Sequence, residues 1–169
     1  MSIKGQKTTT TYMEWNDFIS LITRLEKDGD YKFCLLISIG VFTGLRISDL
    51  LTLKYTDLLN NDTFSINEMK TKKQRSIKVN KDLKEIVNRI VSKSNITNLN
   101  QLIFINRYET KSIDKSYVNV KLKEIIKKYR IKIIETAKYN QNTTFHLLVS
   151  FFIFLKICYF SQFVLLILI

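Results

Sequence analysis

At 169 residues the chain has room for one domain with a sizeable core. Its 27 lysines and arginines against 15 acids give a formal charge of +12 and a pI near 9.7, which points to a polyanionic partner, DNA or RNA first; the bland source of the same charge is an AT-rich genome favouring Lys, Asn and Ile codons. Two distant cysteines, Cys34 and Cys158, exclude a disulfide framework and lack metal-ligand spacing, and the absence of proline with only four glycines leaves no linker to a second domain.

Residues 1–13 are polar and threonine-rich and read as a loose lead-in with no stretch resembling a signal peptide. A domain is expected over 14–146. From Glu14 to Lys27, Trp15, Phe18, Ile19, Ile22 and Leu25 recur at helical spacing until Asp28-Gly29-Asp30 stops the helix. Tyr31 to Phe42 reads as a buried helix, with Cys34 an inert part of the core, and Arg46 to Leu53 as a shorter one. The period then changes. Asn60-Asn61-Asp62 marks a turn, and Phe64-Ser65-Ile66 and Ser76-Ile77-Lys78-Val79 alternate as strands do. Between them, Glu68 to Arg75 forms a basic hairpin. Asn80 caps a helix from Asp82 to about Val91. Leu102 to Ile105 is a short buried element, and Ser116 to Tyr129 an amphipathic helix with Val120, Ile125 and Ile126 inward. These elements make a helical domain with a small antiparallel sheet.

The composition breaks at His146. Every basic residue but Lys156 precedes it, and Leu147 to Ile169 is nearly all apolar. Two readings stay open for 147–169: the product of a frameshift or truncation, or a membrane segment over 149–169. About 20 apolar residues suffice to cross a bilayer, although Lys156 and Gln162 are costly there.

The most informative segment is Thr43-Gly44-Leu45-Arg46-Ile47-Ser48-Asp49-Leu50-Leu51-Thr52-Leu53. Thr43 and Gly44 punctuate, Ile47, Leu50, Leu51 and Leu53 face a core, and Arg46 and Asp49 share another face. A glycine turn followed by an arginine at a helix start presents a fixed guanidinium to a phosphate. A cluster of lysines follows in Lys70-Thr71-Lys72-Lys73-Gln74-Arg75, and one histidine stands after Thr143-Thr144-Phe145.

Together these segments resemble the catalytic domain of tyrosine recombinases, the phage integrase family, of the type found in Bacteroidetes and their phages, over roughly Tyr12 to His146. The resemblance implies a mainly α fold with a small three-stranded antiparallel sheet. It implies transesterification of DNA through a 3′-phosphotyrosyl intermediate, with no metal and no other cofactor. It gives Arg46 the scissile phosphate and Asp49 a supporting role. It gives Lys70, on the hairpin, the proton for the leaving 5′-oxygen, with Lys72 and Lys73 as alternatives because a one-residue slip changes the face. It makes His146 the opening of a His-x-x-Arg box, and Lys72, Lys73 and Arg75 DNA contacts. Double-stranded DNA and other recombinase protomers are the implied partners, in the cytoplasm of a bacterium or phage-infected host.

The sequence departs from the family at two points. Val149 stands where the box requires arginine, and no arginine follows Arg130. Tyr159, the only tyrosine after His146, lacks the neighbours of a nucleophile motif. The chain as written is therefore expected to bind DNA without cleaving it. The rival expectation is a non-enzymatic basic protein tethered to a membrane through 149–169, binding nucleic acid or anionic lipid with residues 1–145.

Overall fold

The computed structural model describes residues 11–70, 72–108, 110–131 and 134–135. His146, Val149, Tyr159 and the apolar run 147–169 lie outside the described residues, as do residues 1–10 of the lead-in.

Two helices open the frame. Helix α1 (Trp15–Lys27) buries Phe18, Leu21, Ile22 and Leu25, the i, i+3, i+4, i+7 positions of one face. Ile19, expected on that face, is exposed, one position out of phase. Helix α2 (Tyr31–Thr43) starts where the Asp30 carboxylate accepts the Phe33 N–H, and buries nearly its whole length. Such a helix, apolar all round, forms the centre of the domain, with α1 on one side. It ends at Gly44, whose φ of 63° is left-handed and lets its N–H reach the Gly40 carbonyl.

After the turn come two short helices, α3 (Ile47–Leu50) and α4 (Tyr55–Leu59). The expected Arg46–Leu53 helix is thus a single turn with Arg46 at its cap, and α4 carries Tyr55 and Leu58 into the core. Strands β2 (Thr63–Asn67) and β3 (Gln74–Lys78) pair antiparallel, with Phe64 opposite Ile77 on the inner face. Helix α5 (Lys81–Lys93) begins at Asn80, whose side chain accepts the Asp82 N–H at 2.7 Å. It packs Leu83, Ile86, Val87 and Ile90 against α2 and α4.

The three-stranded sheet is corrected to two strands. Among the described residues β2 and β3 pair only with each other, and Leu102 and Ile105 make isolated bridges to Lys54 and Ser112. The reason is visible in the burial: Ile103 and Phe104 are consecutive and both buried, so this segment cannot alternate faces as an edge strand does. The Lys32 ammonium donates to the Ile105 carbonyl at 2.6 Å and fixes the segment to the start of α2. Burial lowers the pKa of that ammonium.

Helix α6 (Lys115–Lys128) is capped by Asp114, which accepts the Ser116 N–H. Its inward residues are Val118, Leu122 and Ile125; Ile125 faces the core as expected and Ile126 is half-buried beside it, whereas Val120 is 56 % exposed, and its expected inward place is corrected to Val118, two positions earlier. A second small sheet pairs β1 (Thr11–Tyr12) with β4 (Ile134–Glu135), and Met13 is buried. The last residues assigned to a loose lead-in are therefore held by the far end of the fold. Among the described residues, no helix is long and apolar enough to cross a membrane.

Polar ties lock these helices together. Glu26 on α1 accepts from Arg89 on α5 through two nitrogens at 2.9 and 3.1 Å, and from Lys93 at 2.7 Å, with only 10 % of its side chain exposed. The Arg89 hydrogen bonds hold its carboxyl below the ordinary carboxylate value. A depressed carboxylate pKa contributes stability above the unfolded-chain value, and that contribution disappears as pH falls through the folded value. Glu26→Gln is expected to cost about 1–2 kcal/mol at pH 7, between the ranges for surface and buried pairs. The gap between wild type and variant should close below pH 4 in urea unfolding series; a gap independent of pH would show that the ion pair contributes nothing. At the end of α6, the Tyr129 hydroxyl and the Lys128 ammonium both donate to Asp28, while Arg24 stacks on the Tyr129 ring and donates to its carbonyl.

Candidate functional site

The site forms where the α2–α3 turn meets the β2–β3 hairpin. Ile47, Leu50, Leu51 and Leu53 are all buried, so α3 is clamped to the core and Arg46 is held at its first turn. Arg46 has extended backbone, and its side chain is 38 % exposed. Thr43 steadies the turn by donating to the Ile39 carbonyl and accepting the Leu45 N–H. A four-residue helix has little dipole, so the expected help from a positive helix end is corrected: anion binding here rests on the guanidinium itself.

Asp49 is almost completely buried, and its Oδ1 accepts the Met69 N–H at 3.1 Å. A buried carboxylate so used pins the hairpin loop to α3. Its Oδ2 is buried without a hydrogen-bond partner among the described residues. One residue earlier, Glu68 reaches back to the same turn: Arg46 Nη1 donates to its Oε2 at 2.6 Å, and Arg75 Nη1 lies 3.7 Å from its Oε1. Arg46 and Asp49 are thus joined to adjacent residues of the hairpin, through a side chain and a backbone amide respectively.

The hairpin places the remaining cations. Strands β2 and β3 put Gln74 opposite Asn67 and Arg75 opposite Ile66, so these two residues stand on a strand and not in the turn. The loop is closed by Glu68, whose N–H donates to the Lys73 carbonyl at 3.0 Å and whose carbonyl accepts the Lys72 N–H at 2.8 Å. Lys70, Lys72 and Lys73 are exposed around it, and Lys72 has a left-handed φ of 57°. Lys70 follows the residue anchored on Asp49, which fixes where its backbone leaves the site.

Arg46, Asp49 and Arg75 are therefore brought together, with Lys70 beside them on the anchored loop. His146 lies outside the described residues and cannot be joined to this group. Glu68 is the residue that the sequence left without a role. The available signal was a lone acid at the head of a cationic run, Glu68-Met69-Lys70-Thr71-Lys72-Lys73. Among the described residues there is no cluster of three or more His, Cys, Asp or Glu side chains that could hold a metal ion. Cys34 is buried under α1, and burial pushes its thiol up to about 12, which suits an inert core residue.

Comparison with known proteins adds to this geometry. The family model described as the phage integrase family matches residues 11–149. No curated protein sequence matches the chain. Among solved structures, the lambda integrase catalytic core superposes with a TM-score of 0.59 at 17 % identity, covering 86 % of this chain and 82 % of that one. XerA recombinase gives 0.57 at 18 % identity, covering 80 % of this chain and 47 % of that one. A lambda integrase tetramer bound to a Holliday junction gives 0.59 at 15 % identity, covering 90 % and 44 %. At these identities the likeness is one of fold. The chain spans about half the length of the longer proteins it resembles.

Proposed function

The chain belongs to the phage integrase family, and from that membership we propose that it is a recombinase-type DNA-binding protein that grips duplex DNA without cutting it. Its ancestral chemistry is site-specific strand exchange. In that reaction a tyrosine hydroxyl attacks a DNA phosphodiester, a 3′-phosphotyrosyl bond forms, and the 5′-oxygen leaves with a proton. Because the bond energy is kept in the phosphotyrosyl link, religation needs no cofactor.

The observation that carries this reading is the convergence of Arg46 and Arg75 on one edge of the hairpin, with the Lys70 loop pinned to buried Asp49. Arg46 takes a nonbridging phosphate oxygen, Asp49 positions the loop, and Lys70 is the proton donor to the leaving oxygen. Lys72 and Lys73 contact the backbone of flanking nucleotides, Arg75 contacts the DNA backbone beside Arg46, and His146 belongs to the phosphate-binding set. Affinity built this way is salt-sensitive and weakly specific.

Cleavage fails at Val149. Two arginines ordinarily share the charge that develops on the phosphate, and removing one preorganised donor costs roughly 10²–10³ in rate. Tyr159 stands among Ile157, Cys158 and Phe160, with no recognisable nucleophile motif. The division is a lead-in over 1–13, a catalytic-type domain over 14–146 and an apolar tail over 147–169; the family match over 11–149 covers the whole of that domain and the three residues on either side of it. The setting is the cytoplasm of a bacterium or phage-infected host, and other recombinase protomers on the same DNA are the natural protein partners. The membrane-tethered alternative rests entirely on 149–169, and no described feature favours it.

A nicked suicide duplex tests the claim. The full chain is expected to shift the duplex in a gel at low salt and to release it at high salt. No covalent adduct should survive denaturation; a phosphotyrosyl adduct would overturn the inactivity, and absence of any DNA binding would overturn the function.

A further inference from the structure

The Glu68 carboxylate lies between two guanidiniums. Its Oε2 accepts from Arg46 at 2.6 Å and its Oε1 faces Arg75 at 3.7 Å. Its side chain is 14 % exposed, whereas each arginine is 38 % exposed, so the cationic rim opens to solvent and the acid lies beneath it. A carboxylate held by guanidiniums presents the same oxygen edge as a phosphate. Glu68 also closes the hairpin loop through its own N–H and carbonyl, so the group that fills this seat belongs to the segment bearing Lys70.

We propose that Arg46 and Arg75 form a single two-guanidinium phosphate seat and that Glu68 is its resident stand-in, displaced when a DNA phosphate enters. This rests on the reading of the chain as a DNA-binding protein. The seat draws its second guanidinium from β3, close in sequence to the loop it controls. An entering phosphate breaks the side-chain tie between Arg46 and the loop, while the Asp49–Met69 hydrogen bond and the backbone closure at Glu68 remain. Phosphate capture and release of the Lys70 loop from Arg46 are then one event. Glu68 acts as a positioning residue, holding Arg46 in place when no DNA is bound and weakening binding by competing for the guanidiniums.

The test uses the full chain with two probes, a duplex DNA and inorganic phosphate, the second followed through arginine Nε–Hε resonances. Glu68→Gln is expected to tighten both interactions about three- to tenfold, the range of a partly exposed ion pair. Glu124→Gln, which removes an equal charge from the exposed face of α6, should change either affinity by less than about twofold. The gain should vanish when Glu68→Gln is combined with Arg46→Ala. Wild-type binding to DNA with no gain in Glu68→Gln, or a gain that persists without Arg46, overturns the stand-in and leaves the DNA-binding reading intact. Tighter phosphate binding in Glu68→Gln with no duplex bound by any variant keeps the seat and removes the DNA reading. Binding of neither probe by any variant sinks both. If Glu68→Gln loses cooperative unfolding, Arg75→Gln decides: several-fold weaker phosphate binding supports the seat, and unchanged binding overturns it.

Discussion

Leu50→Ala is expected to destabilise the domain by about 3 kcal/mol, within the range for large-to-small changes at fully buried leucines. Leu50 is 0 % exposed, and it sits on the single turn of α3 next to Asp49. Truncation there removes the contacts that fix α3 to the core and leaves a cavity that a four-residue helix can fill only by shifting. Because total stabilities run to about 5–15 kcal/mol, such a loss is a large share of the whole. It also loosens the turn that carries Arg46, so DNA affinity should fall along with stability. Val120→Ala on the exposed face of α6 serves as the contrast and should change stability by less than about 0.5 kcal/mol. Urea unfolding of both variants decides the matter; a Leu50→Ala loss below about 1 kcal/mol would mean that α3 is not held by its core face.

Arg46→Ala is the largest expected effect on binding. A hydrogen bond to a charged group contributes about 1.5–3 kcal/mol, so affinity for duplex DNA should drop roughly 10- to 100-fold at fixed salt. The slope of log K against log salt should shrink by about 1, the value of one lost phosphate contact. Arg46→Lys keeps the charge and loses the planar fork, so it should retain the salt slope while giving only part of the affinity. The substitution also strips Glu68 of its 2.6 Å partner, but Arg75 remains beside that carboxylate and limits the cost to folding. Equal affinity of wild type and Arg46→Ala would remove Arg46 from the interface.

Much of the frame is legible in the sequence because helix period and caps are local signals. Asp28-Gly29-Asp30 stops α1, Asn80 caps α5, the Gly44 turn lies between α2 and α3, and Phe64 and Ile77 mark the inner face of the hairpin. What the sequence hides is non-local. β1 pairs with residues more than a hundred positions away, and no pattern at Thr11–Tyr12 announces it. The face of α6 is set by whichever of Val118 and Val120 meets the core, and both fit an apolar period. At the site, Arg46, Asp49 and the Lys70 hairpin stand out as residue types in a recognisable order. Glu68 does not, since a carboxylate acquires meaning only when folding places it between Arg46 and Arg75.

The most direct test is a structure of the full chain bound to a duplex. The Arg46 guanidinium is expected on phosphate oxygens at about 2.8 Å, with its contact to Glu68 broken. DNA bound elsewhere on the protein, with Arg46 still paired to Glu68, would contradict it.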